Sequence, residues 1–122
     1  MGVDLVEVDR VRRLLDRHPR AEVKLFTERE RHLFVGSRRI QRMAGTFAAK
    51  EAVWKCLGRG FRGMSLHDVE ILRDGAGKPE VLLSGGAAQR AFELGIQGIE
   101  VSISHEASLA VAQAIAWGGF SR

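Results

Sequence analysis

Residues 40–57 constrain this chain most, because theirs is its longest helical pattern and the apolar side must be covered by something. On a wheel of roughly 100° per residue, Ile40, Met43, Ala44, Phe47 and Trp54 share one arc. Gly58 and Gly60 follow as stops. One acid, Glu51, falls inside the apolar arc, and Lys55 lies at its margin. A buried, unpaired carboxylate is costly. Glu51 therefore pairs with Lys55 one turn on, across a partly open face, or it holds a cation.

The elements around that helix are short. Residues 2–8 alternate acids with Val3, Leu5, Val6 and Val8, and read as a strand running into a helix that Asp9 caps. That helix turns Val11, Leu14 and Leu15 inward and Arg10, Arg13, Arg17 and Arg20 outward, and Pro19 marks its end. Thr27 with Glu30 predicts a capping box opening a short helix, followed by a loop at Gly36-Ser37. Residues 66–73 and 80–83 read as strands joined by the turn Asp74-Gly75-Ala76-Gly77-Lys78-Pro79. A helix over 86–94 ends at Gly95. Ile99, Val101 and Ile103 alternate with polar residues as a strand, and 109–117 read as a strand buried on both faces, paired with it as a hairpin. The fold class is α+β, one compact domain over residues 1–122, with antiparallel strands packed on one long helix and shorter helices.

Composition excludes several classes. Hydrophobic residues at 45% and charged residues at 28% suit a folded domain, and no apolar run approaches the roughly 20 residues that span a bilayer. An acid and then arginines stand where a signal peptide needs its apolar segment, so a cytoplasmic protein with no membrane partner is expected. Cys56 is the only cysteine, buried or half-buried near a helix end and inert, and no disulfide framework exists. Residues 1–62 hold 15 Lys/Arg against 8 Asp/Glu, while the remainder holds 4 against 7. The basic half attracts anions: nucleic acid, anionic lipid, phosphorylated small molecules or an acidic protein.

Two more polar residues break the pattern. Asp4 is flanked by Val3, Leu5 and Val6, so it is an edge-strand charge, a turn residue near a frayed terminus, or half of a two-carboxylate cation site with Glu51. Hard divalent cations such as Mg²⁺ take one or two carboxylates and leave the other positions to water and phosphate. His105 keeps the parity of Ile103 at a strand end, as a hydrogen-bonded structural residue or as a phosphate ligand or proton donor.

Three segments carry a family resemblance: Gly2-Val3-Asp4-Leu5-Val6-Glu7-Val8-Asp9-Arg10, then Phe47-Ala48-Ala49-Lys50-Glu51-Ala52-Val53-Trp54-Lys55-Cys56-Leu57-Gly58, then Val101-Ser102-Ile103-Ser104-His105-Glu106. In order and spacing the chain resembles the holo-acyl-carrier-protein synthase family, the small trimeric class of 4′-phosphopantetheinyl transferases. The resemblance implies transfer of 4′-phosphopantetheine from coenzyme A to a serine of apo acyl carrier protein, with release of 3′,5′-ADP, in fatty acid biosynthesis. It implies Asp4 and Glu51 as Mg²⁺ ligands, with Mn²⁺ as the other option, and Lys55 and His105 at the phosphates. Asp4, Glu51, Lys55 and His105 are then the catalytic set. Lys55, Gly58, Gly77, Lys78, Pro79, Ser104 and His105 form the coenzyme A site, the Gly77-Lys78-Pro79 turn lining the adenine. Either Glu51 or a water on the metal takes the serine proton.

By the same resemblance, Arg10, Arg13 and Arg17 on one helix face dock the acidic helix of the carrier protein, and chains form a homotrimer with sheets at the subunit interfaces and active sites between subunits. Two departures stand out. Thr46 stands where relatives commonly have an arginine that assists nucleotide binding, so Arg38, Arg39 or Arg42 substitutes for it or coenzyme A binds more weakly. Only three residues precede Asp4, which predicts a looser anchor for it. Two other readings compete: a non-catalytic relative that binds coenzyme A or a partner, and a basic nucleic-acid module. The second has little support from 7% aromatic residues, no tyrosine and no recognised nucleic-acid signature.

Overall fold

A computed structural model describes residues 1–58 and 63–119. In chain order the elements are β1 (Gly2–Glu7), α1 (Val8–Arg17), α2 (Ala21–Leu25), α3 (Glu28–Arg31), α4 (Arg39–Leu57), β2 (Val69–Arg73), β3 (Pro79–Leu83), α5 (Gly85–Glu93), β4 (Ile96–His105) and β5 (Leu109–Gly118). The fold is α+β. β1, β5 and β4 form an antiparallel sheet in that order, and β2 and β3 form a separate hairpin. β5 is central because its Ala-rich inner row lets α4 come close. Ala110, Ala112 and Ala114 are buried against the helix, which buries the small or short Ala44, Ala48, Ala49, Ala52 and Val53 along with Met43, Lys50 and Leu57.

The long helix thus buries a different side from the one its apolar arc predicts. Met43 and Ala44 are buried, but Ile40, Phe47, Glu51 and Trp54 are only half-buried, while the alanine side is fully covered by the sheet. A sheet face of alanines makes close approach the stronger term, and Ile40, Phe47 and Trp54 are left at the flanks. Gly2 shows how close that approach is. A Cβ there would meet the Ala52 carbonyl oxygen at 2.1 Å. α4 ends where expected, at Gly58 with φ +98°, and Gly60 lies outside the described residues.

Several expectations need correction. Asp9 does not cap α1, which starts at Val8; it sits in the first turn and pairs with Arg12 at 2.6 Å. Leu14 is 37% exposed rather than turned inward, and the chain after Pro19 makes the additional short helix α2. Residues Leu66–Asp68 form a 3₁₀ turn, so the strand there starts at Val69. β5 is not buried on both faces: Leu109, Val111, Ile115 and Trp117 are exposed on the outer face of the sheet, with Val3 and Leu5 of β1 beside them. The capping box is present as predicted, with Glu30 N–H donating to Thr27 Oγ1 (3.2 Å) and Thr27 N–H donating to Glu30 Oε1 (2.9 Å).

Asp4 is firmly held despite the short lead. β1 pairs with β5 from Gly2–Ala114 to Glu7–Leu109, with Asp4 in mid-strand opposite Ala112. No helix among the described residues is long and apolar enough to cross a membrane.

Candidate active site

β1 alternates, so Gly2, Asp4 and Val6 turn toward α4 while Val3 and Leu5 face outward. Asp4 is thereby brought to the side of α4 that carries Glu51 and Lys55. Lys55 Nζ donates to Asp4 Oδ1 (3.0 Å) and to the Val3 carbonyl (2.7 Å). Its partner is Asp4 rather than Glu51, so the simple pairing along the helix is not the one formed. Burial raises the Glu51 pKa, the Asp4 charge raises it further, and Lys55 opposes both.

Two carboxylates that repel each other, with one ammonium already drawn to them, suit a cation. Among the described residues no group of three or more His, Cys, Asp and Glu converges, so a cage built wholly from protein ligands is absent. A donor set of two carboxylates fits Mg²⁺, which keeps water and phosphate oxygens in its remaining positions.

Beside this cluster lies a cavity of about 500 Å³ between β1, α1 and α4. Asp4 and Glu51 line it, together with Arg10, Arg13 and Arg17 and an apolar wall that includes Leu14, Met43 and Phe47. The basic face of α1 and the paired carboxylates therefore share one depression.

His105 is elsewhere. β4 is the opposite edge of the sheet from β1, with β5 between them, so in one chain His105 and Asp4 flank α4 on different sides. The inner face of β4 meets α4 at Gly45, where an added Cβ would lie 3.3 Å from His105 Cδ2. Burial lowers the His105 pKa, and the charges of Arg73, Arg38 and Arg42 lower it further. Its Nδ1 is buried without a hydrogen-bond partner.

The other predicted contacts are spread around. Ser104 is exposed on the outer face, opposite to His105. Gly77 takes φ +83° in the β2–β3 turn, Lys78 reaches Glu100 at 3.3 Å, and Pro79 pairs with Arg73. Gly58 sits at the end of α4, where Arg90 Nε donates to the Leu57 carbonyl at 2.9 Å. Cys56 is half-buried, and its Sγ approaches the Ala114 carbonyl at 3.5 Å.

Two residues were not legible as important. Lys50 is fully buried and donates to Glu30 Oε1 at 2.6 Å, while Glu30 Oε2 accepts from Ile71 N–H at 2.8 Å. Burial lowers the Lys50 pKa, and Glu30 counteracts that. A lysine beside Glu51 within an apolar helix was the available signal. Arg73 joins the His105 group from β2, and no local pattern marks it, because the contact is between elements distant in sequence.

Residues 1–114 match the family model described as the 4′-phosphopantetheinyl transferase superfamily. The chain is 43% identical over 120 residues to a holo-[acyl-carrier-protein] synthase of Caldanaerobacter subterraneus subsp. tengcongensis, covering 98% of this chain and 94% of that one. Its structure resembles the holo-ACP-synthase of Plasmodium yoelii, with TM-score 0.84, 35% identity and coverage of 97% and 93%. It also resembles the synthase of Bacillus anthracis in complex with CoA (3′,5′-ADP), with TM-score 0.77, 33% identity and coverage of 97% and 95%.

Proposed function

The chain belongs to the 4′-phosphopantetheinyl transferase superfamily, and from that premise we propose which of its side chains carry the reaction. It is a holo-[acyl-carrier-protein] synthase, an enzyme that moves phosphopantetheine from coenzyme A to acyl carrier protein. The observation that carries the site assignment is the Asp4–Lys55–Glu51 cluster at the basic cavity.

Asp4 and Glu51 hold Mg²⁺, or Mn²⁺ in its place. When bound, the ion supplies Lewis-acid polarisation of the pyrophosphate and offsets charge developing on its oxygens. Lys55, held between Asp4 and the Val3 carbonyl, presents an ammonium to the same phosphates. The carrier serine oxygen forms a bond to the β-phosphorus, the bond to the bridging oxygen breaks, and 3′,5′-ADP leaves with the electron pair. The serine proton passes to the Glu51 carboxylate or to water as that bond forms. Arg10, Arg13 and Arg17, beside the same cavity, steer an acidic carrier helix so that its serine arrives near Glu51.

His105 acts from a neighbouring copy in a homotrimer. Two features support this: the Asp4 and His105 groups occupy opposite edges of one sheet, and the exposed outer face carries Val3, Leu5, Val111, Ile115 and Trp117. Assembly through that face covers apolar surface that a single chain leaves in water.

Incubation with coenzyme A, Mg²⁺ and apo acyl carrier protein, followed by mass spectrometry of the carrier, tests the reading. The carrier gains the phosphopantetheine mass with the wild type and not with Glu51→Gln, which keeps its fold. An active Glu51→Gln overturns the metal assignment, and no transfer by the wild type to several carriers overturns the function.

A further inference from the structure

Among the described residues, Lys50 and Glu30 are the charged side chains with no exposure to solvent, and no step of the transfer uses them. Glu30 Oε1 accepts from Lys50 Nζ at 2.6 Å and from Thr27 N–H at 2.9 Å, while Oε2 accepts from Ile71 N–H at 2.8 Å. Thr27 Oγ1 in turn donates to Glu70 Oε2 at 2.6 Å. One buried carboxylate thus joins the start of α3, the middle of α4 and β2. Desolvation offsets most of the attraction within such a pair, so apolar side chains of similar volume would hold these elements together about as strongly. What apolar side chains lack is direction. Charge-assisted hydrogen bonds fix distance and angle, whereas packed methyl groups slide.

Two features show what is being fixed. Lys50 immediately precedes Glu51 on α4, so their side chains leave the helix about 100° apart. Glu51 lines the cavity, and Lys50 points instead to α3. The Lys50 ammonium also lies 5.7 Å from the centroid of the Phe26 ring, which Phe34 meets edge-on at 4.9 Å. Phe26 and Leu25, between α2 and the Thr27 cap, line the same cavity as Glu51. The pair therefore stands behind the cavity wall and couples that wall to the turn of α4 that carries Glu51. Another ion pair, Arg39 with Glu22, joins α2 to α4, but it lies about 16 Å back along the helix and both its side chains are partly exposed.

We propose that Lys50 and Glu30 are positioning residues for carrier docking: they set the separation between the Leu25–Phe26 wall and Glu51, and so the seat into which the carrier helix brings its serine. Neither meets a substrate. This rests on the reading that the carrier docks over the cavity beside Arg10, Arg13 and Arg17.

Two variants test it. Lys50→Met with Glu30→Leu removes the pair at similar volume, and Glu30→Gln removes only the charge while keeping acceptors for Thr27 and Ile71. Denaturant curves set a temperature at which each variant is folded, and calorimetry then measures apo acyl carrier protein and, separately, coenzyme A. The double variant binds the carrier about 10-fold more weakly and Glu30→Gln about 3-fold more weakly, both keeping coenzyme A affinity within about 2-fold of wild type. In turnover, kcat/KM for the carrier falls in the same proportions while KM for coenzyme A holds. A folded double variant that binds the carrier as the wild type does overturns the proposal. Equal weakening toward carrier and coenzyme A also overturns it, because that marks a general loss of structure. If the double variant does not fold at any temperature, Glu30→Gln decides by the same outcomes. A wild type that binds the carrier but transfers nothing to it overturns the assigned reaction and leaves the positioning role standing.

Discussion

Two lysines five residues apart on α4 make the same kind of contact with an acid and do different work. Lys50 Nζ lies 2.6 Å from Glu30, both side chains fully buried, and ties α3, α4 and β2 together through the Ile71 N–H. Lys55 Nζ lies 3.0 Å from Asp4, with both side chains partly exposed at the edge of a cavity. A buried pair is weak evidence of net stabilisation, but removing one partner leaves a charge in a place with no water to solvate it. A partly exposed pair costs less to open than a fully buried one, so on the proposed assignment its cation stays available to an incoming phosphate. On the proposed assignment, environment rather than residue type divides structural from functional lysine.

That contrast can be broken experimentally. Lys50→Ala carries the largest expected effect, a loss of roughly 3–5 kcal/mol in stability from stranding Glu30. Denaturant midpoints measure it, and a double change of Lys50→Met with Glu30→Leu recovers part of the loss; a Lys50→Ala protein as stable as wild type would erase the distinction. Lys55→Ala is the mirror case. It lowers kcat by about 10²–10³, equivalent to about 2.7–4 kcal/mol of transition-state stabilisation, while the unfolding midpoint changes by less than about 1 kcal/mol. Equal losses of stability in the two variants would show that Lys55 is structural after all. Arg13→Glu sharpens the picture of the cavity, raising KM for the carrier about 10-fold, or about 1.4 kcal/mol, with KM for coenzyme A nearly constant.

The smallest effect belongs to pH. Burial, then the charges of Arg73, Arg38 and Arg42, place the folded His105 pKa below its usual value near 6.5. The folded state then binds fewer protons than the unfolded one in that window. The stability tied to neutral His105 is present above pH about 6.5 and is lost as pH falls toward the folded pKa. Denaturation midpoints compared between pH 7.5 and 5.5 show this slope, and His105→Gln flattens it; an unchanged slope would mean other groups dominate.

Much of this was legible along the chain because it depends on neighbours in sequence. The capping box of Thr27 and Glu30, the stop at Gly58 and the pairing of β4 with β5 all follow from local chemistry. Asp4 and Glu51 were marked by being acids in apolar settings, and the fold brings them together around Lys55. Which side of α4 is buried was misread, because an apolar arc measures hydrophobicity and not how close a sheet of alanines can come. Asp9 as a cap failed for a similar reason. β1 runs straight into α1, so Val8 is already helical.

The sequence by itself determined most of the element types, though not α2 or the 3₁₀ turn at Leu66–Asp68, together with the α+β class, the family motifs and the presence of two misplaced carboxylates. Only the tertiary structure decided that Lys55 answers Asp4, that Lys50 is locked to Glu30, and that His105 stands at the far edge of the sheet, where burial and the charges of Arg73, Arg38 and Arg42 lower its pKa. The reason is range. Helix caps, turns and alternation are set within about four residues, whereas an ion pair or an anion site is set by which elements happen to pack, and at what depth from water.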